Sequence, residues 1–456
     1  MGKTYTLPSR AVPFSDEWEV IVVGGGPAGC TAATAAAREG ARTLLVEASG
    51  CLGGAGTGML VPAWCPFSDE ERVIYGGLAE KVFAKSKEGV AHLGPEDVDW
   101  VPIDAERLKR VYDDMVTEAG VTVLFSTALA RVEADGGGNV SAIVTANKAG
   151  LCAWGAKVFV DCTGDADLTA WAGGEFHKGD AEGKRLMPAT HCFTLSNVDE
   201  YGYRYGPGMH AENPESPIYR ILASGRYPLI PDAHCNSKLV GPGTIGFNAG
   251  HLFDIDNTDP VGMSAALIQG RKMAAQFRDA LAEFHPKAFG NAFLVATGAQ
   301  VGIRETRRIV GDYALTLDDY LARRSFADEI CRNNYYIDVH WAKDEAPTKP
   351  GEIGEWEKHI AQYGKGESHG IPYRCLTPRG LRNVLVAGRS ISCEQAVQGS
   401  IRVMPVCLAM GEAAGLAAAL AAREAEPDVH RVDAQRLRRR LKEEGGYLPD
   451  AIGAQR

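Results

Sequence analysis

Close cysteine pairs are missing from this chain. It holds 11 cysteines, but no two of them form a C-x-x-C pair. That disfavours a structural zinc site or a thioredoxin-like dithiol, and no metal is expected. Cys51 and Cys65 stand too far apart in sequence to form the paired thiols of a disulfide reductase. Positive charge is also short. The formal net charge is −10, which argues against a nucleic-acid partner, because domains that bind one are usually basic. The arginines between Arg436 and Arg440 read as the solvated face of a charged helix. No run of about 18 apolar residues occurs, so a membrane span is not expected. The N-terminal stretch MGKTYTLPSRAVPFS lacks an apolar signal core. Reduced thiols in a cytoplasmic protein are the expectation. Internal repeats and low-complexity tracts are absent too.

What the chain does have is length and glycine. Its 456 residues exceed one small core and suggest two or three domains. The 53 glycines exceed the usual ~7%, and they cluster where a backbone must approach a ligand. Glu19 to Val23 (EVIVV) reads as a buried strand. Pro27 to Glu39 is Ala-rich and reads as a helix with Pro in its first turn. Ala41 to Glu47 reads as a second buried strand. Further along, Asp104 to Ala119 has helical spacing and Val121 to Ser126 reads as a strand. Ala130 to Lys157 alternates like a β-meander. Val158 to Cys162 reads as another buried strand, Ser264–Phe284 as a helix, Asn383 to Ala387 as a strand, and Arg402 to Ala422 as one long helix.

Gly24, Gly26 and Gly29 spell G-x-G-x-x-G between the first strand and the first helix. The first glycine allows the tight turn, the second lets the backbone approach a pyrophosphate, and the third lets helix and strand pack closely. The helix N-terminus offers free N–H groups to phosphates. Glu47, at the end of the second strand, suits ribose hydroxyls and would repel the extra phosphate of NADP. Gly241, Gly243 and Gly246 spell the same pattern, but no helix follows, so a second nucleotide site is rejected.

The fingerprint does not separate FAD from NAD. Longer segments do so by resemblance. VVGGGPAG followed by LLVEASGCLGGAGT resembles the start of glutathione-reductase-type flavoproteins. FVDCTGDADLTAWAG and NVLVAGRSIS resemble their later FAD motifs. GIRETRRIVGDY and QGSIRVMPVCLAMGEAAGLAAALA narrow the resemblance to the FAD-dependent oxidoreductase family called FAD_oxidored. That family is distantly related to succinate dehydrogenase and fumarate reductase flavoproteins. The resemblance runs from about residue 8 to 422. It implies FAD as cofactor, held by Gly24, Gly26, Pro27, Ala28, Gly29, Glu47 and Ala48; by Gly53, Gly54, Thr57 and Leu129; by Thr163, Gly164 and Asp165; and by Gly388, Arg389, Ser400, Ile401 and Arg402. Ser400 to Val403 would open the last long helix towards the flavin's pyrimidine edge, where negative charge appears on reduction. Gln395 departs from the family, in which a His is frequent there.

The fold implied is α/β. A Rossmann-like FAD-binding domain, a parallel sheet plus a β-meander, would be built from residues 16–57, 104–174 and 376–425. A substrate or cap domain would take 58–103 and 175–375, and a charged helix and tail 426–456. Catalytic candidates follow from chemistry. Arg304 and Arg402 offer planar forks for a carboxylate or paired oxygens, although Arg402 can instead pair with an acid, and Glu305 and Arg308 can form an internal ion pair. His251 and His340 are candidate bases. His191 is a weaker one, and Tyr335 and Tyr336 are expected as pocket wall. Cys51 stands near enough to the Gly53–Gly54 doublet to approach the flavin. The expected reaction is hydride removal from a hydroxyl- or amine-bearing carbon of a polar small molecule. Its alternatives are flavin-dependent reduction of an activated C=C bond in a carboxylate, and a non-catalytic FAD-binding scaffold. The electron acceptor, oxygen or another redox partner, is left open, as is a homo-oligomer.

Overall fold

The computed structural model describes residues 4–6, 8–90, 92–183, 185–350 and 362–449. The tail beyond residue 449 lies outside the described residues. Fifteen strands are named in chain order: β1 Phe14–Val23, β2 Thr43–Val46, β3 Thr122–Leu124, β4 Ala128–Ala134, β5 Val140–Asn147, β6 Gly150–Asp161, β7 Phe176–Lys178, β8 Phe193–Ser196, β9 Cys235–Gly241, β10 Thr244–Ala249, β11 Phe293–Thr297, β12 Arg307–Ile309, β13 Glu329–Asn333, β14 His369–Pro372 and β15 Val384–Val386.

The largest sheet runs β3-β2-β1-β6-β5-β4, with β15 also on β6. β6 explains both halves. Its start pairs antiparallel with β5, Ile143 opposite Trp154. Its end lies parallel between β1 and β15, with Phe159 opposite Ile21 and Val384. The sequence suggested a meander ending at Lys157 and a separate strand from Val158, but one strand crosses that boundary. The pattern changes because the first half keeps one face partly wet while the second is buried on both faces.

The helix Pro27–Arg38 crosses from β1 to β2 and packs on Met404–Ala422. Gly411 and Gly415 make this possible, because a Cβ on either would collide with the carbonyls of Ala28 and Ala32. Met404–Ala422 is the one described helix long and apolar enough to cross a membrane, and 94% of that span is buried inside the molecule. Its start corrects the sequence reading. Gln395–Ile401 is a separate helix, and the chain turns extended at Val403 before the long helix begins at Met404. Pro405 forces the break, because its ring would meet the carbonyl of Ile401 in a continuous helix.

A second core, from Ala189 to Ile303, lies around the antiparallel sheet β11-β8-β10-β9 and the helix Pro260–Phe284. Parts of 58–103 and 175–375, expected with the cap, put Trp64, Phe67, Tyr320 and Tyr373 into the core that holds Val20 and Val22. The second glycine pattern is a β9–β10 hairpin, with Thr244 opposite Gly241 and no helix.

Candidate active site

A cavity of about 1570 Å³ opens at the C-terminal ends of β1, β2, β6 and β15. It exceeds the ~300–1,000 Å³ of a drug-sized ligand site, leaving room for a dinucleotide and a second molecule. Its floor is the glycine fingerprint. Gly24 turns the chain with φ +99°. Gly26 is the helix N-cap and supplies no side-chain cap. A Cβ on Gly26 would meet nothing within 4 Å, so the bare backbone borders open space. Together these make a cradle for a pyrophosphate. Glu47 has Oε2 on the Gly25 amide and Oε1 on the Ser49 amide, each at 2.6 Å. That fixes its carboxylate at the cavity wall. The residues present therefore fit FAD.

The other expected FAD contacts divide. Pro27, Ala28, Ala48, Gly54 and Leu129 line the cavity, as do Thr163, Gly164, Asp165, Gly388, Arg389 and Arg402. Asp165 is already engaged, since Arg389 donates to it at 2.7 Å and Thr306 and Asn257 also bond it. Gly29, Gly53, Thr57, Ser400 and Ile401 are not at the surface of the cavity. Gly29 sits against the Gly24 carbonyl, where a Cβ would collide. Gly53 packs on Tyr112, and the Thr57 hydroxyl donates to Leu52 O. Ser400 bonds Tyr335 O and accepts from Asn333. Ile401 is fully buried. Ser400 and Ile401 thus end the preceding helix rather than opening the long one. Val403 and Met404, at the uncapped start of that helix, do border the cavity.

At the cavity's other end two arginines approach a cluster of imidazoles. Arg304 is buried, with Nη1 donating to Pro188 O at 2.7 Å and to the Thr190 hydroxyl at 2.9 Å. No carboxylate of the described residues forms an ion pair with it. Burial and the neighbouring Arg402 charge pull it down to about 10, so it stays cationic at neutral pH. Arg402 instead pairs with an acid, donating to Asp338 Oδ2 at 2.8 Å.

His340 lines the cavity and His251 does not. His251 Nε2 lies 2.8 Å from His340 Nδ1, and His251 Nδ1 lies 2.9 Å from Asp232 Oδ2. His340 Nε2 lies 3.3 Å from Asp338 Oδ1. Burial, then the Arg304 charge, push His340 down to about 4, so its ring is neutral at pH 7. Burial pushes His251 and His234 well below the usual imidazole range. Burial raises Asp232 to about 7, against the His234 amide that bonds it. Burial would raise Asp338 too, but the Arg402 and Arg304 charges and the hydrogen bond with His340 outweigh it and hold that carboxyl low. The ring nitrogens of His234, His251 and His340 lie within 4.8 Å of one another. The His234 and His251 rings stack at 4.2 Å with planes 15° apart, and the His251–His340 nitrogen contact engages one nitrogen of each of those two rings.

His191 is tied to Gly298 O at 2.7 Å and borders β8, away from the cavity surface. Tyr335 and Tyr336 form pocket wall. Arg307 pairs with Asp167, and Glu305 pairs with Arg308. Gln395 bonds Glu305 outside the cavity. Cys51 Sγ lies 4.0 Å from the Thr57 hydroxyl and does not line the cavity. The sequence reading missed Asp232, His234 and Asp338. A signal was present: D-x-H occurs at 232–234 and again at 338–340.

Solved structures of similar shape include a geranylgeranyl bacteriochlorophyll reductase-like protein from Thermoplasma acidophilum. It is 13% identical, with TM-score 0.47, over 95% of this chain and 84% of that one. A myxobacterial chondrochloren halogenase, a variant of FAD-dependent halogenases, is 12% identical with TM-score 0.47 over 94% and 78%. The anhydrotetracycline hydroxylase of Streptomyces rimosus is 14% identical with TM-score 0.43 over 88% and 62%. The model of one family, described as FAD dependent oxidoreductase, matches residues 19–441. The chain belongs to the FAD dependent oxidoreductase family, with FAD as its cofactor.

Proposed function

We propose that this flavoprotein oxidises a polar small molecule at a carbon bearing a hydroxyl or an amine, with His340 taking the proton. The observation that carries the reading is a neutral imidazole at the cavity wall, hydrogen-bonded from behind by His251. A neutral ring is the form a general base needs. His251, the other candidate base, is a positioning residue, because His340 stands between it and the cavity. Bound FAD supplies hydride acceptance. Arg304 holds a substrate oxygen or carboxylate with the side of its fork not bonded to Pro188 and Thr190, where Nη2 has only a long 3.5 Å contact to Asn248 Oδ1 to give up. The same unpaired cation favours a second reading, in which a carboxylate substrate has an activated C=C bond reduced.

Anaerobic mixing with a panel of alcohols, amines and hydroxy acids tests the first reading. Bleaching of the flavin by a member of that panel, reversed when oxygen or an artificial acceptor is admitted, is expected. Bleaching by none of them, with dithionite-reduced protein reoxidised by an unsaturated carboxylate, moves the assignment to the second. With a substrate in hand, His340→Asn should lower turnover ~100-fold or more while FAD stays bound. Arg304→Lys should raise KM more than it lowers kcat, since Lys lacks the planar fork.

A further inference from the structure

We infer that Asp232, His251 and His340 form a buried proton relay, in which a proton received at His340 Nε2 is stored on the Asp232 carboxylate. The proposal rests on the oxidation above only for the source of the proton.

The geometry permits two states and little else. A nitrogen–nitrogen hydrogen bond holds one hydrogen, so the 2.8 Å contact between His251 and His340 couples their tautomers. In the first state Asp232 is ionised. His251 Nδ1–H donates to it, His251 Nε2 accepts from His340 Nδ1–H, and His340 Nε2 carries a lone pair. In the second state Asp232 is protonated and donates to His251 Nδ1. His251 Nε2–H donates to His340 Nδ1, and His340 Nε2–H points at Asp338 Oδ1. The two states differ by one proton, and both rings are neutral in each. Neither imidazolium has to exist at rest, which suits rings that burial holds neutral. Asp232 and His251 are sealed from solvent, with side chains 0% exposed. Only His340 of the three faces the cavity. The stored proton therefore has one entrance.

The surroundings bias the ends of the relay. Asp338 is ionised, is held by Arg402, and lies 3.3 Å from His340 Nε2. It opposes a lone pair there and favours an arriving proton. Arg304 opposes positive charge on the ring, so the proton moves inward rather than resting as imidazolium. His234 stacks on His251 and gives its backbone N–H to Asp232 Oδ1 at 2.8 Å, which leaves Oδ2 to face His251. Burial brings the Asp232 carboxyl near neutrality, where it can load and unload. For an alcohol the balance is complete. The O–H bond breaks and its electron pair becomes the second C–O bond. The hydride leaves carbon for the oxidised flavin. The proton enters at His340 Nε2, His340 Nδ1–H passes to His251, and His251 Nδ1–H passes to Asp232.

Histidine 15N spectra and aspartate carboxyl 13C spectra of the FAD-loaded protein, recorded from about pH 5.5 to 8.5, test this without any substrate. His251 and His340 should exchange pyrrole-like and pyridine-like nitrogens together, in step with the Asp232 carboxyl, and neither should become imidazolium. Asp232→Asn should abolish the exchange at both rings. His251→Gln should let the Asp232 carboxyl titrate while His340 keeps one tautomer. FAD content and circular dichroism report whether each variant folds, and the wild-type titration stands if one does not. The relay is overturned if either ring protonates to imidazolium independently. It is also overturned if both tautomers stay fixed across the range, whether or not a bound zinc ion fixes them. Failure of the flavin-bleaching panel would leave these spectra unaffected, so the two proposals fail separately.

Discussion

Gly26 and Gly29 should fail in different ways. At Gly26 the backbone is extended, φ −71° and ψ −174°, which any residue adopts, and a Cβ there enters open cavity. Gly26→Val should leave the apo fold near wild-type stability but return colourless protein that takes up little FAD. At Gly29 a Cβ would strike the Gly24 carbonyl. Gly29→Ala should destabilise the fold by about 1–3 kcal/mol or more, the range of overpacked cores. Urea midpoints and flavin absorbance together separate the two. Both variants with equal stability would break the distinction. These glycines were legible because each serves a fixed step of one local motif. Asp232, His234 and Asp338 were not, because their meeting depends on segments about 100 residues apart in a stretch without periodicity. His251 was found by residue type, but type alone could not say that His340 would stand in front of it.

Among elements, the contact between helices Pro27–Arg38 and Met404–Ala422 governs the cofactor floor. Backbone meets backbone there, with Gly415 against Ala32 and Gly411 against Ala28. Gly415→Val should push the helices apart, lowering both the unfolding midpoint and FAD affinity, although residue 415 is outside the cavity lining. A variant with normal stability and FAD content would show that the contact yields at no cost. Alanine and glycine patterning marked both helices in the sequence, and their apolar length made them easy to place. The start of the second helix was misread because helical residue types continue from Gln398 through Ala421. Pro405 marks the break, but proline within the first turn is compatible with a helix that starts just before it.

For the whole molecule, buried imidazoles set the response to acid. His340 is pushed down to about 4 and His369 to about 3, both first by burial, and His234 and His251 also go well below the usual range. Unfolded, such rings titrate near 6.5. As pH falls from about 6.5 towards 4, the unfolded chain takes up protons that the folded one refuses, and stability drops. Asp232, raised to about 7, works the other way: between about 4 and 7 the folded protein holds its proton, and stability falls as pH rises. Burial lowers His191 and His285 in the same sense, and raises Asp113, Asp161, Asp167 and Glu412 in the sense of Asp232. Between pH 4.5 and 6.5 the six imidazoles dominate, so Tm should climb over that range and level off or dip slightly beyond 7. Differential scanning fluorimetry checks the sign, and a Tm highest at pH 4.5 would refute it. The α/β architecture was legible because its strands and helices carry local patterns. The allocation of 58–103 and the end of 175–375 between the cores was not, because aromatic residues such as Trp64 and Tyr320 suit either core equally by composition. The sheet carries a last consequence for synthesis. β15 fills the edge beside the end of β6 but is encoded ~220 residues later. At ~5–20 residues per second, that strand edge waits for roughly 10–45 s on the ribosome. During that interval the nascent chain exposes the surface that invites mispairing, so slow translation or C-terminal truncation before Val384 should favour aggregates over a smaller native unit.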